Sequence, residues 1–507
     1  MLNLAPESAA RAAILLLPVL LSACGGGSSD QATSSTASVE ATTPGTTPFI
    51  DMVKLAGTGL SSISAIRYIV SPKPGATAQP VTVTYTISAL ARRGYEVTSD
   101  GALTVPIFGL YSGYANTLTL QLGFRDGSVK TLPLTIESAS YSDPTGIYAQ
   151  PTILVKRDAS SALGFNYFAI KSGDGTPVVI DTDGEIRWVG TGLSNSGASV
   201  FKNAGFIVGE PNSVNVSRLE LDGTLSTGTV DDATFVNFHH NIDPGKVGSL
   251  AEFTTNVAGI SNVATTAAEI TASGHVLAKW DFAALISAYM SAHGDDPTQF
   301  VRSGVDWFHM NATAYDRRDN SLIASSRENF VIKVDYDTGE IIWILGDPTK
   351  YWYTFPSLRA KAITVQDGGL YPIGQHGISI TRDGLLLLFN DGLGSLNQPI
   401  GAPAGASRNY SVVSGYSIDS ARLTAREAWS FDYGHTIYSD ICSSAYQSAD
   451  GSTLITYATA DNRTTARLVG LDMNKRVAFD FKYPSPVSCG TAWNSIPIPF
   501  ESLYIDR

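Results

Sequence analysis

Asp337-Thr-Gly-Glu-Ile-Ile-Trp343 is the clearest copy of a unit that recurs along the chain: a turn with Asp and Gly, then a strand that ends in Trp. Further copies are Asp183-Gly-Glu-Ile-Arg-Trp188 and Ser273-Gly-His-Val-Leu-Ala-Lys-Trp280. Strands joined by such turns and repeated over a long stretch are typical of a β-propeller, in which each repeat is one blade. At a typical blade size, residues 143–507 predict about six blades. A large irregular β-sandwich is the alternative.

A second, smaller all-β domain precedes the repeats. Alternating runs such as Val81–Ile87 and Thr117–Leu122 predict half-buried strands, and Ser142-Asp-Pro-Thr-Gly146 marks a boundary. We assign residues 49–142 to this domain, which has no titratable cluster and is predicted to be structural or an interaction domain. The net charge of −12 and the absence of a basic run argue against nucleic acid as a partner.

The N-terminus reads as a targeting signal. Arg11 precedes the apolar run Ala12–Leu21, and Leu21-Ser-Ala-Cys24 resembles the lipobox of bacterial lipoproteins. Residues 1–23 are therefore predicted to be a lipoprotein signal peptide and Cys24 to be lipidated; an ordinary cleaved signal is the alternative. Residues 24–48 are predicted to be a flexible tether. We expect a lipid-anchored protein on the periplasmic side of the envelope, at the outer membrane because Gly25 is not the Asp of inner-membrane lipoproteins.

Four of the seven histidines recur in similar short contexts. His240, His309, His376 and His435 are separated by 69, 67 and 59 residues. Evenly spaced equivalent positions suggest that each repeat offers one residue to a shared centre. The alternative is that each is a separately satisfied polar residue.

The stretch Asp306-Trp-Phe-His-Met-Asn311 carries the chemistry. Residues two apart on a strand share a face, so His309 and Asn311 are predicted to point the same way. Arg327 offers a planar fork that matches a tetrahedral oxyanion. A neutral imidazole, such as that of His376, can act as a nucleophile or a proton carrier.

Cys442 and Cys489 remain after the signal. An oxidising periplasm would permit a disulfide between them, but one pair cannot be judged from sequence. Nothing in the chain has zinc-ligand spacing.

The chain resembles the bacterial aryl-sulfate sulfotransferases. The resemblance rests on Trp307-Phe-His309-Met-Asn311, Ser325-Ser-Arg327, Ile341-Ile-Trp-Ile-Leu-Gly-Asp347-Pro348 and Gln375-His376, in the family's order. Phe108-Gly-Leu-Tyr111 and Asn116-Thr-Leu-Thr-Leu resemble its N-terminal β-sandwich. The order Asn390-Asp391 is the inverse of the expected one.

This resemblance implies an all-β fold, a six-bladed propeller preceded by a small β-sandwich, that moves a sulfuryl group from a phenolic sulfate ester to a phenol. It implies no nucleotide sulfate donor, no cofactor and no metal, and relatives suggest a homodimer. His376 would carry a transient sulfohistidine in ping-pong kinetics. His309, Asn311, Arg327 and His240 would contact the sulfuryl oxygens.

Strand alternation predicts that His240 faces the site while His239 packs within its blade. His435 is predicted to support the site or to line the channel. Two other functions stay open at this stage: a lipid-anchored propeller scaffold without turnover, and an aryl sulfate hydrolase in which water replaces the phenol.

Overall fold

The first part of the chain forms a two-layer β-sandwich in the computed structural model, which describes residues 35–506. One sheet has the order β1-β2-β5, and the other contains β4-β3-β6-β7. Val53 and Val105 of the first sheet share an apolar core with Ile66 and Leu120 of the second. This confirms the predicted N-terminal β-sandwich. Its strands are β1 Ser38–Pro44, β2 Ile50–Ala56, β3 Ile63–Val70, β4 Val81–Thr86, β5 Leu103–Phe108, β6 Ala115–Phe124 and β7 Val129–Glu137.

The domain limits need two corrections. Residues 38–44, assigned to the flexible tether, form β1 and pair with β2; their Thr and Val side chains suit an exposed edge strand as well as a linker. Residues 503–505, assigned to the propeller, form β34, which pairs in parallel with β4. Leu503 and Ile505 are buried in the sandwich core, so β34 belongs to the first domain. The predicted signal peptide, Cys24 and residues 24–34 of the tether lie outside the described residues.

The rest of the described chain forms six antiparallel sheets of four or five strands, one of which also has a parallel edge strand. Their strands are β8 Thr152–Val155, β9 Tyr167–Lys171, β10 Val178–Asp181, β11 Ile186–Val189, β12 Ser199–Phe201, β13 Gly205–Gly209, β14 Asn215–Glu220, β15 Leu225–Thr229, β16 Phe235–Pro244, β17 Ser249–Val257, β18 Ile260–Ile270, β19 Val276–Asp281, β20 Met310–Asp316, β21 Ser321–Ser326, β22 Val331–Asp335, β23 Ile341–Leu345, β24 Thr364–Gln366, β25 Gln375–Ile380, β26 Leu386–Asn390, β27 Val412–Asp419, β28 Thr424–Phe431, β29 Ser444–Gln447, β30 Thr453–Thr459, β31 Thr465–Leu471, β32 Val477–Pro484 and β33 Asn494–Ile498.

In each sheet, one edge strand contacts the corresponding edge strand of the next sheet. Contacts run from β12 to β16, then to β20, β25, β29 and β33. The first and last strands of this region join the first sheet to the last. β33 pairs with β9 of the first sheet, and β8 pairs with β32 of the last sheet. This is the arrangement of a β-propeller, and the all-β class is confirmed. The blade count of six stays a prediction, with which the six sheets of residues 152–498 are compatible.

The helices are few within the described residues: α1 Ile87–Arg92, α2 Phe282–Ala292, α3 Pro356–Arg359 and α4 Ala460–Arg463, with short 3-10 helices at Leu60–Ser62, Pro297–Gln299, Tyr351–Thr354 and Tyr433–His435. Asp281 caps α2 by accepting a hydrogen bond from the backbone of Ala284. Phe282 of α2 stacks on Phe308, the residue before His309. Helix α2, which lies between β19 and β20, therefore packs beside the predicted site. No helix in residues 35–506 is long and apolar enough to cross a membrane.

A disulfide joins Cys442 and Cys489, whose Cα atoms are 6.4 Å apart. Both cysteines are buried, and Trp493 packs against them. The bridge therefore ties the segment before β29 to the segment before β33, two strands of neighbouring sheets.

Replacing both cysteines by Ser is expected to lower the free energy of unfolding by about 4 kcal/mol, because the bridge closes a loop of 47 residues in the unfolded chain. Urea denaturation of the variant and of the reduced wild type should give matching midpoints. A variant as stable as the oxidised wild type would contradict a stabilising bridge.

Candidate active site

The predicted site residues lie together at one end of three neighbouring inner strands. His240 lies in β16, Asn311 in β20 and His376 in β25. His309 immediately precedes β20, and Arg327 immediately follows β21. The ring centroids of His240 and His376 are 6.1 Å apart, and those of His240 and His309 are 4.5 Å apart. Three separate sheets thus supply one cluster.

Strand β16 departs from the alternation that the sequence analysis assumed. Its pairing with β17 is interrupted between Phe238 and Ile242, so His239 and His240 lie in an irregular segment. Both rings lie beside His309: its centroid is 5.1 Å from that of His239 and 4.5 Å from that of His240. The prediction that His239 packs away from the site is wrong, since a bulge cancels the two-residue period.

His309 does not continue β20. Its φ of 50° lies in the left-handed region, and the register shifts between Met310 and Ala312. His309 and Asn311 therefore do not share a face by strand alternation, as the sequence analysis had assumed. The Asn311 side chain is buried, and its Nδ2 donates a hydrogen bond of 2.8 Å to the carbonyl oxygen of Gln375. Asn311 thereby holds the residue that precedes His376.

His240 and His309 share one hydrogen bond. His309 Nδ1 lies 2.5 Å from Asp306 Oδ2, and a carboxylate only accepts, so Nδ1 carries a proton. The Nε2 atoms of His309 and His240 are 2.6 Å apart, so one proton lies between them. Burial, then the neighbouring histidines and Arg327, lower the pKa of His240 well below its usual value. The pair is thus built to hold and release a single proton.

His376 presents a free nitrogen. Its Nδ1 donates to the carbonyl oxygen of Gly374 at 3.0 Å, which fixes the tautomer with an unprotonated Nε2. Burial, and then the positive charge of Arg327, lower the pKa of His376 well below 6.5. The ring is therefore neutral at pH 7 with the Nε2 lone pair available, and that atom makes no hydrogen bond within residues 35–506.

Arg327 is buried, and carboxylates hold its two terminal nitrogens. Nη1 donates to Glu328 Oε1 at 3.0 Å, and Nη2 lies 3.3 Å from Asp391 Oδ2. Its Nε–H is buried without a hydrogen-bond partner among the described residues. The guanidinium is thus fixed in place, and its Nε–H can donate a hydrogen bond to an oxyanion.

Two family models match the chain. The family model described as Arylsulfotransferase (ASST) matches residues 152–493, and the Arylsulfotransferase Ig-like domain matches residues 46–139. The chain belongs to the arylsulfotransferase family.

Two curated relatives are each named arylsulfate sulfotransferase AssT. The protein from Escherichia coli O6:H1 (strain CFT073) is 31% identical over 171 residues, or 30% of this chain. The protein from Lelliottia amnigena is 29% identical over 177 residues, or 31% of this chain. The matched region spans 28% of the length of either relative.

Two solved β-propellers also resemble the chain, weakly. The WD40 domain of Toxoplasma gondii coronin has a TM-score of 0.33 at 9% identity, covering 68% of this chain and 77% of that one. The Cps50 (Swd1) propeller of Myceliophteria thermophila has a TM-score of 0.33 at 10% identity, covering 66% and 99%. Likeness at this level carries no weight for function.

Three ionisable residues that sequence reasoning assigned no role lie beside the candidate site. Asp306 orients His309, while Asp391 lies 3.3 Å from Arg327 and 3.6 Å from His376 Nδ1. Burial raises the pKa of Asp391 well above its usual value, although the Arg327 charge opposes this. Buried Lys350 donates to the Arg327 carbonyl at 3.3 Å. Only one feature of the sequence drew attention to Asp391: the order Asn390-Asp391 is the inverse of the one expected for the family.

His435 takes no part in the site. It lies in an exposed 3-10 helix, stacks on Tyr410 with centroids 3.7 Å apart, and pairs with Asp432 at 2.9 Å. The inner strand of the next sheet begins only at Ser444, so the histidine register does not extend to the fourth member. The prediction that His435 supports the site is wrong, since its ring contacts Tyr410 and Asp432 instead, whereas a channel-lining position stays a prediction.

The site also contains a potential ligand set. Nitrogens of His239, His240 and His309 lie within 4.8 Å of one another. Local spacing in the sequence could not reveal this group, because the third ligand comes from the neighbouring sheet. A cavity of about 790 Å³ lies elsewhere, at the opposite ends of the inner strands, lined by residues such as Tyr315, Ile380 and Ile498. None of the site residues lines it.

Proposed function

We propose that the protein is an aryl-sulfate sulfotransferase that moves a sulfuryl group from a phenolic sulfate ester to a phenol through a sulfohistidine on His376. The observation that carries this proposal is the state of His376: a neutral, buried ring whose Nδ1–H is held by Gly374 and whose Nε2 is free. Membership of the arylsulfotransferase family supplies the reaction class.

In the first half-reaction, Nε2 of His376 attacks the sulfur and the bond to the phenolic oxygen breaks. The transition state is loose, with negative charge on the sulfuryl oxygens and the departing phenolate, as in phosphoryl transfer. Arg327 stabilises the oxygens through its fixed charge and its Nε–H. The His240–His309 pair, in the form that carries one proton more than two neutral rings, gives that proton to the phenolate and is left as two neutral imidazoles.

In the second half-reaction, a phenol takes the place of the first product. The histidine pair accepts the phenol proton, and the phenolic oxygen attacks the sulfur. The adduct carries the sulfuryl group on Nε2 and keeps its proton on Nδ1, which still donates a hydrogen bond to the Gly374 carbonyl oxygen, so the imidazole leaves as a neutral ring.

We place this chemistry in the periplasm, on a protein anchored to the outer membrane through Cys24. The Cys442–Cys489 disulfide supports an oxidising compartment. Metabolic labelling with a fatty-acid analogue tests the anchor: the wild type should be labelled and Cys24→Ala should not.

Initial rates with a chromogenic aryl sulfate, with and without an added phenol, test the function. Phenol-dependent release of the chromogenic product supports the transferase. Equal release of sulfate without phenol would make the protein a hydrolase. No turnover of any aryl sulfate tested would favour a scaffold.

The pH dependence of the first half-reaction follows from the lowered pKa of His376. A histidine with a depressed pKa stays neutral, and therefore nucleophilic, as the pH falls through its ordinary value of 6.5. Single-turnover rates of product release should thus change little between about pH 7.5 and about pH 6. A rate that halves near 6.5 would show that the nucleophile titrates normally.

A further inference from the structure

We infer that His239, His240 and His309 form a binding site for a divalent transition metal of the zinc type, and that the bound ion blocks sulfuryl transfer. The metal site stands on geometry alone, whereas its inhibitory effect rests on the proposed function. The three rings come from the irregular part of β16 and the segment before β20, and one nitrogen from each lies within 4.8 Å of the other two.

The hydrogen bonds of the outer nitrogens favour metal ligation. His239 Nδ1 donates to the Met310 carbonyl oxygen at 3.0 Å, and His309 Nδ1 donates to Asp306. Metal-binding histidines almost always donate their second N–H to a carbonyl or a carboxylate, which fixes the ring and its tautomer. In both rings Nε2 is therefore the nitrogen that remains available to a metal ion.

His240 completes the set. Its Nε2 lies 2.6 Å from His309 Nε2, while its buried Nδ1 has no hydrogen-bond partner within residues 35–506. Ligands of a tetrahedral zinc ion lie about 3.3 Å apart, between this shortest contact and the upper limit of 4.8 Å. Three protein ligands leave a fourth position open.

An ion at this place would remove the proton carrier. It would take the lone pairs that His240 and His309 use to share one proton, so the phenolate could no longer be protonated by the pair. Zinc should therefore lower turnover, and chelation should restore it.

Titration of chelator-treated protein without a polyhistidine tag tests the site directly, with Co²⁺ as the probe. The wild type should bind one ion per chain and develop the visible absorption of tetrahedral Co²⁺. His239→Asn should weaken binding by at least about 10–100-fold, and Asp306→Asn by a similar factor through loss of the orienting carboxylate. His435→Asn, which changes an exposed histidine elsewhere, should bind as the wild type does.

Two results would overturn the site: no stoichiometric Co²⁺ binding by the wild type, or unchanged binding by a folded His239→Asn protein. A bound ion without loss of aryl sulfate turnover would overturn the inhibitory role. The absorption measurement needs no substrate, so a failure of the proposed function would leave the metal result intact and distinguishable.

Discussion

His376→Ala is expected to lower kcat for sulfuryl transfer by about 10⁴-fold or more, because removal of a nucleophile leaves only binding and charge stabilisation. The structure gives the reason for choosing this ring among seven histidines. Its Nδ1–H is committed to Gly374, its Nε2 is free, and Arg327 opposes its protonation. Steady-state kinetics with a chromogenic aryl sulfate and a phenol measure the loss.

The matched control is His435→Ala, which removes an imidazole from the exposed surface and should keep the wild-type rate. In the wild type, double-reciprocal plots at several phenol concentrations should be parallel, because donor and acceptor react in separate half-steps. Intersecting lines, or a His376→Ala protein with substantial turnover, would exclude a covalent scheme.

Arg327→Ala is expected to lower kcat by about 10²–10³-fold, more than it weakens donor binding, because the guanidinium stabilises charge that grows in the transition state. It should also lower the free energy of unfolding by about 3 kcal/mol, since Glu328 and Asp391 would lose their buried partner. Kinetics and urea denaturation of the same preparation separate the two effects.

Arg327→Lys is the appropriate control, because it keeps the positive charge but loses the Nε–H and the planar fork. We expect it to recover most of the stability and little of the turnover. If Arg327→Ala changed only the Michaelis constant, Arg327 would bind the ground state of the donor rather than its transition state.

The fold was largely predictable because its signals are local and repeated. Trp343 lies in β23, which continues to Leu345, and Trp188 and Trp280 lie near the ends of the corresponding outer strands β11 and β19. Two segments were misassigned for one physical reason. Residues 38–44 and 503–505 form strands by pairing with β2 and β4. Their composition alone does not indicate that a pairing strand exists.

The proximity of the predicted site residues could be expected from the sequence, but their geometry could not. His240, His309, Asn311, Arg327 and His376 do converge, whereas side-chain directions failed wherever the backbone is irregular. The bulge in β16 turns His239 towards the site, and the left-handed φ of His309 removes it from β20. Such departures depend on long-range packing, and no residue pattern in these segments marks them.

Local sequence patterns also could not predict which ionisable residues surround the histidine cluster. Asp391 lies 64 residues after Arg327, and only the ring of strands brings the two within 3.3 Å. Asp306 stands inside the quoted motif, yet its contact with His309 depends on the turn that precedes β20.

The most direct test of the account is the mass of the protein after rapid mixing with an aryl sulfate in the absence of a phenol. We predict the addition of one sulfuryl group per chain, on the peptide that contains His376, and its loss when a phenol is added. An unmodified chain during productive turnover, or a sulfuryl group on His309 or His240 instead, would contradict the assignment of His376 as the nucleophile.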